Sequence, residues 1–300
     1  MHRLWLACTL VLAAFLATVA SAGDAPVVDS VRFRSITVEH GLSQATVRSL
    51  LQDRRGFVWI GTLDGLNRSD GVRIRTFRAA AQPDSLSDNH VWTLAEDHEG
   101  GIWVGTAAGG VSRFDPQTER FERFPHDADE PGALAGDAVT AMAVDARGRV
   151  WLATSAGVLQ HIVPGQRRFV RVRTAAELPG LNATRDLQFR RNGHLMVATR
   201  SGLYELDGEG VLLRSWRDER GEAPDCYAVS EGPDGSVWLG SGDSGLLHWR
   251  SDDAAPVRLR RRDGLVSDAV RALQFDDAGR LWIGTLNGLG RLEPQRGEFL

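Results

Sequence analysis

One short pattern of small, aromatic and aliphatic positions recurs six times along the chain and predicts a strand each time. A Gly is followed three residues later by Trp or Met, then by an aliphatic residue, a Gly or Ala, and a Thr or Ser. Branched and aromatic residues favour extended backbone, and the leading Gly suits a tight turn. The pattern occupies Gly56–Thr62, Gly100–Thr106, Gly148–Thr154, Gly193–Thr199, Gly235–Ser241 and Gly279–Thr285.

The spacing of these copies predicts the fold. Their central residues are separated by 44, 48, 45, 42 and 44 positions. A repeat of this length built on strands is typical of a β-propeller blade. We therefore expect an all-β protein, a β-propeller of four-stranded antiparallel blades with six repeats visible. The central residues are Trp59, Trp103, Trp151, Met196, Trp238 and Trp282.

Each repeat carries signals for four strands. The strand before the motif has small residues and is interpreted as the innermost one, where the propeller axis leaves little room. The motif forms the second strand, and its Trp is expected to pack between adjacent blades. The outer strand alternates apolar and charged residues, as Arg120–Phe124 does. The innermost strands are predicted to begin at Val47, Val91, Val139, Thr184, Cys226 and Val270.

The repeated motif residues receive a structural role, because they recur at fixed positions whatever the loops between them contain. Large flat side chains, small residues and hydroxyls each suit one place in a blade. These structural residues are Trp59, Gly61, Thr62, Trp103, Gly105, Thr106, Trp151, Trp238, Gly240, Trp282, Gly284 and Thr285.

Composition and charge indicate a globular domain without a nucleic-acid partner. The chain of 300 residues is 42% hydrophobic and 25% charged, which is enough apolar material for a sizeable core. Its formal net charge of -4 gives no basic footprint for a polyanion such as DNA or RNA. Since a repeat array folds as one body, we expect one propeller domain over residues 31–300 after a leader.

The first 22 residues are predicted to be a signal peptide. A short positive start is followed by the apolar stretch Leu4–Val19 and by Ala20-Ser21-Ala22, a small-x-small cleavage site. This indicates export to the periplasm; an uncleaved membrane anchor is the alternative. Cleavage would leave Cys226 as the only thiol, which excludes an intrachain disulfide.

The two ends of the repeat array bear on the number of blades. Val31–Val38 resembles an outer strand that could complete the last blade, yet Glu293–Phe299 mirrors the approach to the outer strand of the second repeat. A closed ring of six blades needs only one of these two outer strands. We therefore expect a fragment, truncated at its C-terminal side, of a seven-bladed or larger array. A closed six-bladed ring is the alternative.

The first repeat carries a family resemblance. With His40-Gly41-Leu42-Ser43 upstream, Trp59–Arg68 reads Trp-Ile-Gly-Thr-Leu-Asp-Gly-Leu-Asn-Arg and closely resembles the two-component regulator propeller repeat. The resemblance covers residues 31–300. It implies the periplasmic sensor portion of a hybrid histidine kinase or diguanylate cyclase, and none of those output modules is present in these residues. It thus implies a non-catalytic ligand-sensing propeller.

The ligand site is predicted at the face where each outer strand crosses to the next innermost strand, because binding residues concentrate on loops held by a rigid scaffold. Three Arg and two aromatic residues share one aligned position there and suit an anionic or sugar-like ligand. The partner is thus an unknown small molecule or oligosaccharide. The recurring Leu, Ser and Asp positions of these loops are interpreted instead as anchoring each loop and turning the chain. The candidate residues are Arg48, Asn89, His90, Trp92, Arg185, Tyr227 and Arg271.

Other functions are weighed against sensing. Exported propeller enzymes of lactonase or lyase type need a metal or a His/Glu set near the axis, and the His residues here share no repeat position. We expect no catalytic residues, no metal site and no cofactor. A secreted protein-binding propeller is the other alternative, and self-association is left open. Membrane contact is expected only through an absent downstream segment or an uncleaved leader.

Overall fold

The computed structural model describes residues 33, 35–218, 220–250, 255–295 and 297–299. Internal contacts divide the chain into one unit up to Ile36 and a second from Thr37 onwards. In the first unit the described residues Phe33, Ser35 and Ile36 are exposed and belong to no helix or strand. The predicted signal peptide, residues 1–22, lies outside the described residues.

From Thr37 onwards, strands form six four-stranded antiparallel sheets in which each strand pairs with its neighbours in sequence. This arrangement confirms the predicted β-propeller of four-stranded blades. The strands of blades 1 to 3 are β1 (Val47–Gln52), β2 (Val58–Thr62), β3 (Gly65–Ser69), β4 (Ile74–Phe77), β5 (Val91–Glu96), β6 (Ile102–Thr106), β7 (Val111–Asp115), β8 (Arg120–Phe124), β9 (Val139–Val144), β10 (Val150–Thr154), β11 (Val158–Ile162) and β12 (Val170–Thr174).

Blades 4 to 6 repeat the same order, and the described chain ends in the outer strand that Glu293–Phe299 predicted. Short 3-10 turns lie at Val38–His40, Leu181–Ala183 and Arg261–Asp263. The strands are β13 (Thr184–Phe189), β14 (Leu195–Thr199), β15 (Gly202–Leu206), β16 (Leu212–Trp216), β17 (Cys226–Glu231), β18 (Val237–Ser241), β19 (Leu246–Trp249), β20 (Val257–Leu259), β21 (Val270–Phe275), β22 (Leu281–Thr285), β23 (Gly288–Glu293) and β24 (Glu298–Phe299).

The first strand of every blade is the innermost one, as the sequence predicted. Contacts run from β1 to β5, then to β9, β13, β17 and β21, so the first strands lie side by side around the axis. All six begin at the predicted residue. The predicted outer strand at Val31–Val38 is wrong over its described residues, because Val38 instead begins a 3-10 turn that Gly41 ends with a positive φ.

Apolar side chains fill each boundary between consecutive blades. Five clusters of buried residues account for the five boundaries from blade 1 to blade 6. Trp59, Trp103 and Trp151 are fully buried in them, which confirms that the repeated Trp packs between blades. Met196 takes the same place between blades 4 and 5.

The motif residues recur for identifiable reasons. Trp103 Nε1 donates to Asp97 Oδ2 at 2.8 Å, and Thr106 Oγ1 donates to the carbonyl oxygen of Gly110 at 2.9 Å and closes the turn into the third strand. A Cβ on Gly105 would lie 2.9 Å from Val139 of the next innermost strand. The motif Gly therefore permits close approach of the following blade.

Candidate functional site

A β-bulge interrupts the innermost strand of every blade at one and the same place. In blade 1 Val47 pairs with Thr62 and Ser49 pairs with Gly61, so Arg48 is left out of the ladder. The same skip occurs in the other five blades. A bulge leaves its extra residue unpaired and re-aims that side chain. The residues so extruded, here called the bulge row, are Arg48, Trp92, Thr140, Arg185, Tyr227 and Arg271.

The bulge row lies at the crossing-loop end of the propeller, because each bulge is the second residue of an innermost strand. Five of the seven candidate residues fall in it, and the sixth member, Thr140, was missed because only charged and aromatic side chains were sought. No member of the row is fully buried. The structure thus places together the residues that the alignment of repeats predicted would share one ring.

Three members of the bulge row form a stack. The guanidinium carbon of Arg185 lies 3.4 Å from the ring centre of Tyr227, and that of Arg271 lies 3.6 Å from it. Two guanidinium groups cannot occupy one side of a ring at these distances, so they cover its opposite faces. Arg48 lies 6.0 Å from the ring centre of Trp92, a looser contact. The row therefore contains a tight cation–π stack and one more open aromatic ring.

The two arginines of the stack differ in their partners. Arg185 Nη1 donates to Asp225 Oδ1 at 2.8 Å and to the carbonyl oxygen of Cys226 at 3.1 Å. Arg271 Nη1 is buried and has no hydrogen-bond partner among the described residues. Gly242 leaves room for the stack, since a Cβ there would lie 2.9 Å from the Tyr227 ring. Arg185 is thus held in place, while Arg271 keeps unused hydrogen-bonding capacity.

The remaining candidates, Asn89 and His90, lie in the crossing loop before β5. Asn89 Oδ1 accepts a hydrogen bond from the backbone N–H of Ala79 at 2.8 Å, so its side chain holds the loop. His90 is exposed. The structure therefore separates these two residues from the stack and gives Asn89 a structural contact.

Asp186 is an acidic side chain next to the bulge row that the repeat does not require. Its Oδ2 accepts a hydrogen bond from the backbone N–H of Val229 in blade 5 at 2.9 Å. Burial raises the pKa of this carboxyl to about 6, although hydrogen bonds from Val229 and Leu187 act in the other direction. The Asp186 carboxyl therefore links blade 4 to blade 5.

Guanidinium, aromatic and hydroxyl side chains form the bulge row at this face. Within the described part of the chain, no three His, Cys, Asp or Glu residues are grouped as metal ligands. Cys226 is fully buried, and burial raises the pKa of its thiol, which keeps it in the unreactive form. No helix in that part is both long and apolar enough to cross a membrane. Guanidinium and aromatic groups remain, and these bind anions and flat ligands.

Comparison with known proteins bears on the family. The family model described as two component regulator propeller matches residues 41–64, 85–108, 133–156 and 264–287. These segments run from the crossing loop into the motif of blades 1, 2, 3 and 6. The resemblance drawn from Trp59–Arg68 is thereby confirmed. Histidine kinase P4 of Formosa agariphila is 46% identical over 46 residues, which are 15% of this chain and 3% of that protein.

Solved structures share the fold. The extracellular domain of a protein described as a hybrid two component system from B. thetaiotaomicron has a TM-score of 0.75 at 22% identity and covers 89% of this chain. This chain covers 36% of that structure. Virginiamycin B lyase from Staphylococcus aureus has a TM-score of 0.65 at 12% identity, over 85% of this chain and 83% of the lyase. At these identities the similarity shows the propeller fold alone.

Proposed function

Four repeats of the chain match the two component regulator propeller family, and from that premise we propose that it is the ligand-sensing part of a bacterial signal-transduction protein. In this proposal it works outside the cytoplasm, is not an enzyme, and binds its ligand at the bulge row. The observation that carries the proposal is the repeated bulge. All six innermost strands extrude one side chain at the same end, and five of the six are arginine or aromatic.

The chemistry of the bulge row favours a small molecule or oligosaccharide. Arginine side chains bind carboxylates and hydroxyls through a planar set of N–H groups, and aromatic rings stack on flat apolar faces. In the proposed protein the output is a histidine kinase or a diguanylate cyclase carried by other parts of the molecule. This chain covers 36% of the hybrid two component structure that it resembles, so the signalling output is inferred from the family.

A lyase or lactonase is the competing function. The similarity to virginiamycin B lyase supports a shared propeller, and at 12% identity it does not extend to catalysis. Among the described residues, Cys226 is buried and no histidine belongs to the bulge row. A sensing role therefore accounts for the face better than an enzymatic one.

Ligand binding at the bulge row is tested with the purified chain and a panel of neutral and acidic oligosaccharides and small metabolites. Thermal unfolding identifies a binder, because a ligand of the folded state raises Tm, and calorimetry gives its Kd. We expect Arg48→Ala combined with Arg271→Ala to weaken binding at least tenfold. Arg120→Ala, on an outer strand with 72% of its side chain exposed, is the matched control and should bind as the unaltered chain does.

Two results would count against this proposal. A compound that binds the double variant and the unaltered chain equally well would place the site elsewhere on the propeller. If mass spectrometry shows that the bound compound is converted into a product, the lyase or lactonase alternative is favoured.

Export is tested separately with the leader. We propose that residues 1–22 are removed as a signal peptide. A fusion of residues 1–30 to alkaline phosphatase, which is active only after export, should be active and should begin after Ala22 on N-terminal sequencing. An inactive fusion would argue against the periplasmic location, and an active fusion that retains the leader would favour a membrane anchor.

A further inference from the structure

We propose that the stack of Arg185, Tyr227 and Arg271 is a preformed clamp for an anionic group, so that the ligand carries a carboxylate, sulfate or phosphate. This inference rests on the proposed ligand site at the bulge row and narrows the ligand's chemistry. It also assigns different tasks to the two aromatic residues of the row.

The first step concerns Tyr227, which cannot serve as a stacking platform for a sugar. Both faces of its ring are covered, by guanidinium carbons 3.4 and 3.6 Å from the ring centre. The ring instead fixes the planes of the two arginines, because guanidinium groups stack flat on aromatic faces. Stacking uses the flat faces of each guanidinium and leaves its N–H edge for hydrogen bonds. Tyr227 is therefore a positioning residue, and the arginines are the binding residues.

The second step concerns charge. The carboxylate of Asp225 forms an ion pair with Arg185 at 2.8 Å. Asp268 of the preceding loop accepts instead from the backbone N–H of Arg261 at 2.8 Å. Asp186 is linked to Val229 in blade 5. Among the described residues no acidic side chain forms an ion pair with Arg271, so one of the two arginines of the stack has no carboxylate partner.

The third step concerns the unused N–H groups. Arg271 Nη1 is shielded from solvent without a hydrogen-bond partner among the described residues. A buried N–H group without an acceptor raises the free energy of the ligand-free protein. A hydrogen bond from this group to a ligand oxygen would remove that penalty. Carboxylate, sulfate and phosphate oxygens are the acceptors that match a guanidinium edge. The guanidinium carbon of Arg48 lies 6.0 Å from the centre of the Trp92 ring. The Trp92 ring is therefore open to the uncharged part of the ligand.

The test uses inorganic sulfate as the probe and the arginine side chains as reporters. In the 15N-labelled chain, sodium sulfate is titrated against sodium chloride at constant ionic strength while the Nε–Hε resonances are followed. We expect saturable shifts at Arg185 and Arg271 with a Kd on the order of 1 mM. Arg271→Gln should weaken binding at least tenfold, whereas Arg120→Gln, on an outer strand away from the bulge row, should leave it unchanged.

The role of Tyr227 is read from a pair of variants. Tyr227→Phe keeps the flat ring and should bind sulfate as the unaltered chain does, whereas Tyr227→Leu removes the plane and should weaken binding several-fold. Unchanged indole resonances of the buried tryptophans report that each variant is folded. Absence of saturable shifts at Arg271, or equal binding by Arg271→Gln, would overturn the clamp.

The same experiment separates the clamp from the proposed function. If sulfate does not bind while an oligosaccharide still requires Arg48 and Trp92, the clamp is wrong and the ligand site at the bulge row stands. If sulfate binds as expected while the best binder of the panel is unaffected by Arg48→Ala with Arg271→Ala, the clamp stands and that site is wrong for the larger ligand.

Discussion

Asp186 places a carboxyl on the innermost strand β13 beside the bulge row, and the free-energy cost of its ionisation depends on pH. Burial raises its pKa to about 6 from an ordinary value of 3.8. The folded state therefore holds the proton more tightly than the unfolded state does, and folding is favoured at low pH. That contribution is lost as pH rises through this range, because the unfolded chain ionises first.

Asp186→Asn should therefore stabilise the protein at neutral pH. The amide keeps an oxygen to accept from Val229 and carries no charge. We expect the free energy of unfolding in urea to rise by roughly 2 kcal/mol at pH 7.5 and to be unchanged at pH 4. Asp129→Asn, on an exposed loop, is the control and should alter neither value. An equal effect of Asp186→Asn at both pH values would contradict the assignment.

At this scale the sequence predicted five of the six members of the bulge row, but not the bulge that brings them together. Aligning the repeats placed Arg48, Trp92 and Arg185 in one column, since equal positions in equal blades must be equivalent in space. It did not show that the column is a bulge, because one unpaired residue leaves no trace in the hydrophobic pattern. It also missed that Tyr227 is covered on both faces, which depends on the rotamers of neighbouring blades.

Within a blade, the turn and the second strand are joined by a hydrogen bond between Asp and Trp. Asp97 Oδ2 accepts from Trp103 Nε1 at 2.8 Å and from Arg113 Nε at 2.7 Å, and its Oδ1 accepts from the turn backbone at Gly101. Burial opposes ionisation of Asp97, but these contacts outweigh it and lower its pKa. Asp276 and Trp282 make the same contact in blade 6 at 2.9 Å.

Removing this acceptor should cost more in a central blade than in blade 6. Asp97 is fully buried, whereas 23% of the Asp276 side chain is exposed. We expect Asp97→Ala to lower the free energy of unfolding by about 3 kcal/mol, because it removes the buried partner of Arg113 Nε and leaves the Trp103 indole donor without an acceptor. Asp276→Ala should lower it by about 1 kcal/mol. Chemical denaturation measures both, and equal losses would contradict the dependence on burial.

At the scale of the strands, the spacing of the repeats predicted strand positions better than the residue types within a segment did. All six innermost strands begin where the repeats placed them, since each must enter the same narrow space beside the axis. The outer strand predicted at Val31–Val38 is wrong over its described residues, because alternating apolar and charged residues resemble an outer strand wherever they occur. Residues Thr37–His40 form a local turn instead, in which Thr37 Oγ1 and His40 Nδ1 lie 2.8 Å apart.

At the scale of the whole propeller, the two end blades present complementary halves of one boundary. At every internal boundary the third-strand apolar residue of one blade packs toward the innermost strand of the next, and Leu66, Leu203 and Leu246 are fully buried there. The equivalent Leu289 of blade 6 is 47% exposed, and on the opposite side Leu50 of blade 1 is 66% exposed. We propose that a further blade of the same repeat covers these two exposed faces.

The comparison of Leu246 with Leu289 tests this directly, because the two side chains are one blade apart and chemically identical. In the present chain Leu246→Ala should lower the free energy of unfolding by about 3 kcal/mol through the cavity it leaves, and Leu289→Ala by less than about 1 kcal/mol. In a chain that includes the proposed blade, the two losses should become equal, since Leu289 would then be enclosed as Leu246 is. If Leu289→Ala stays nearly neutral in the longer chain, the exposed face of blade 6 is not a boundary between blades.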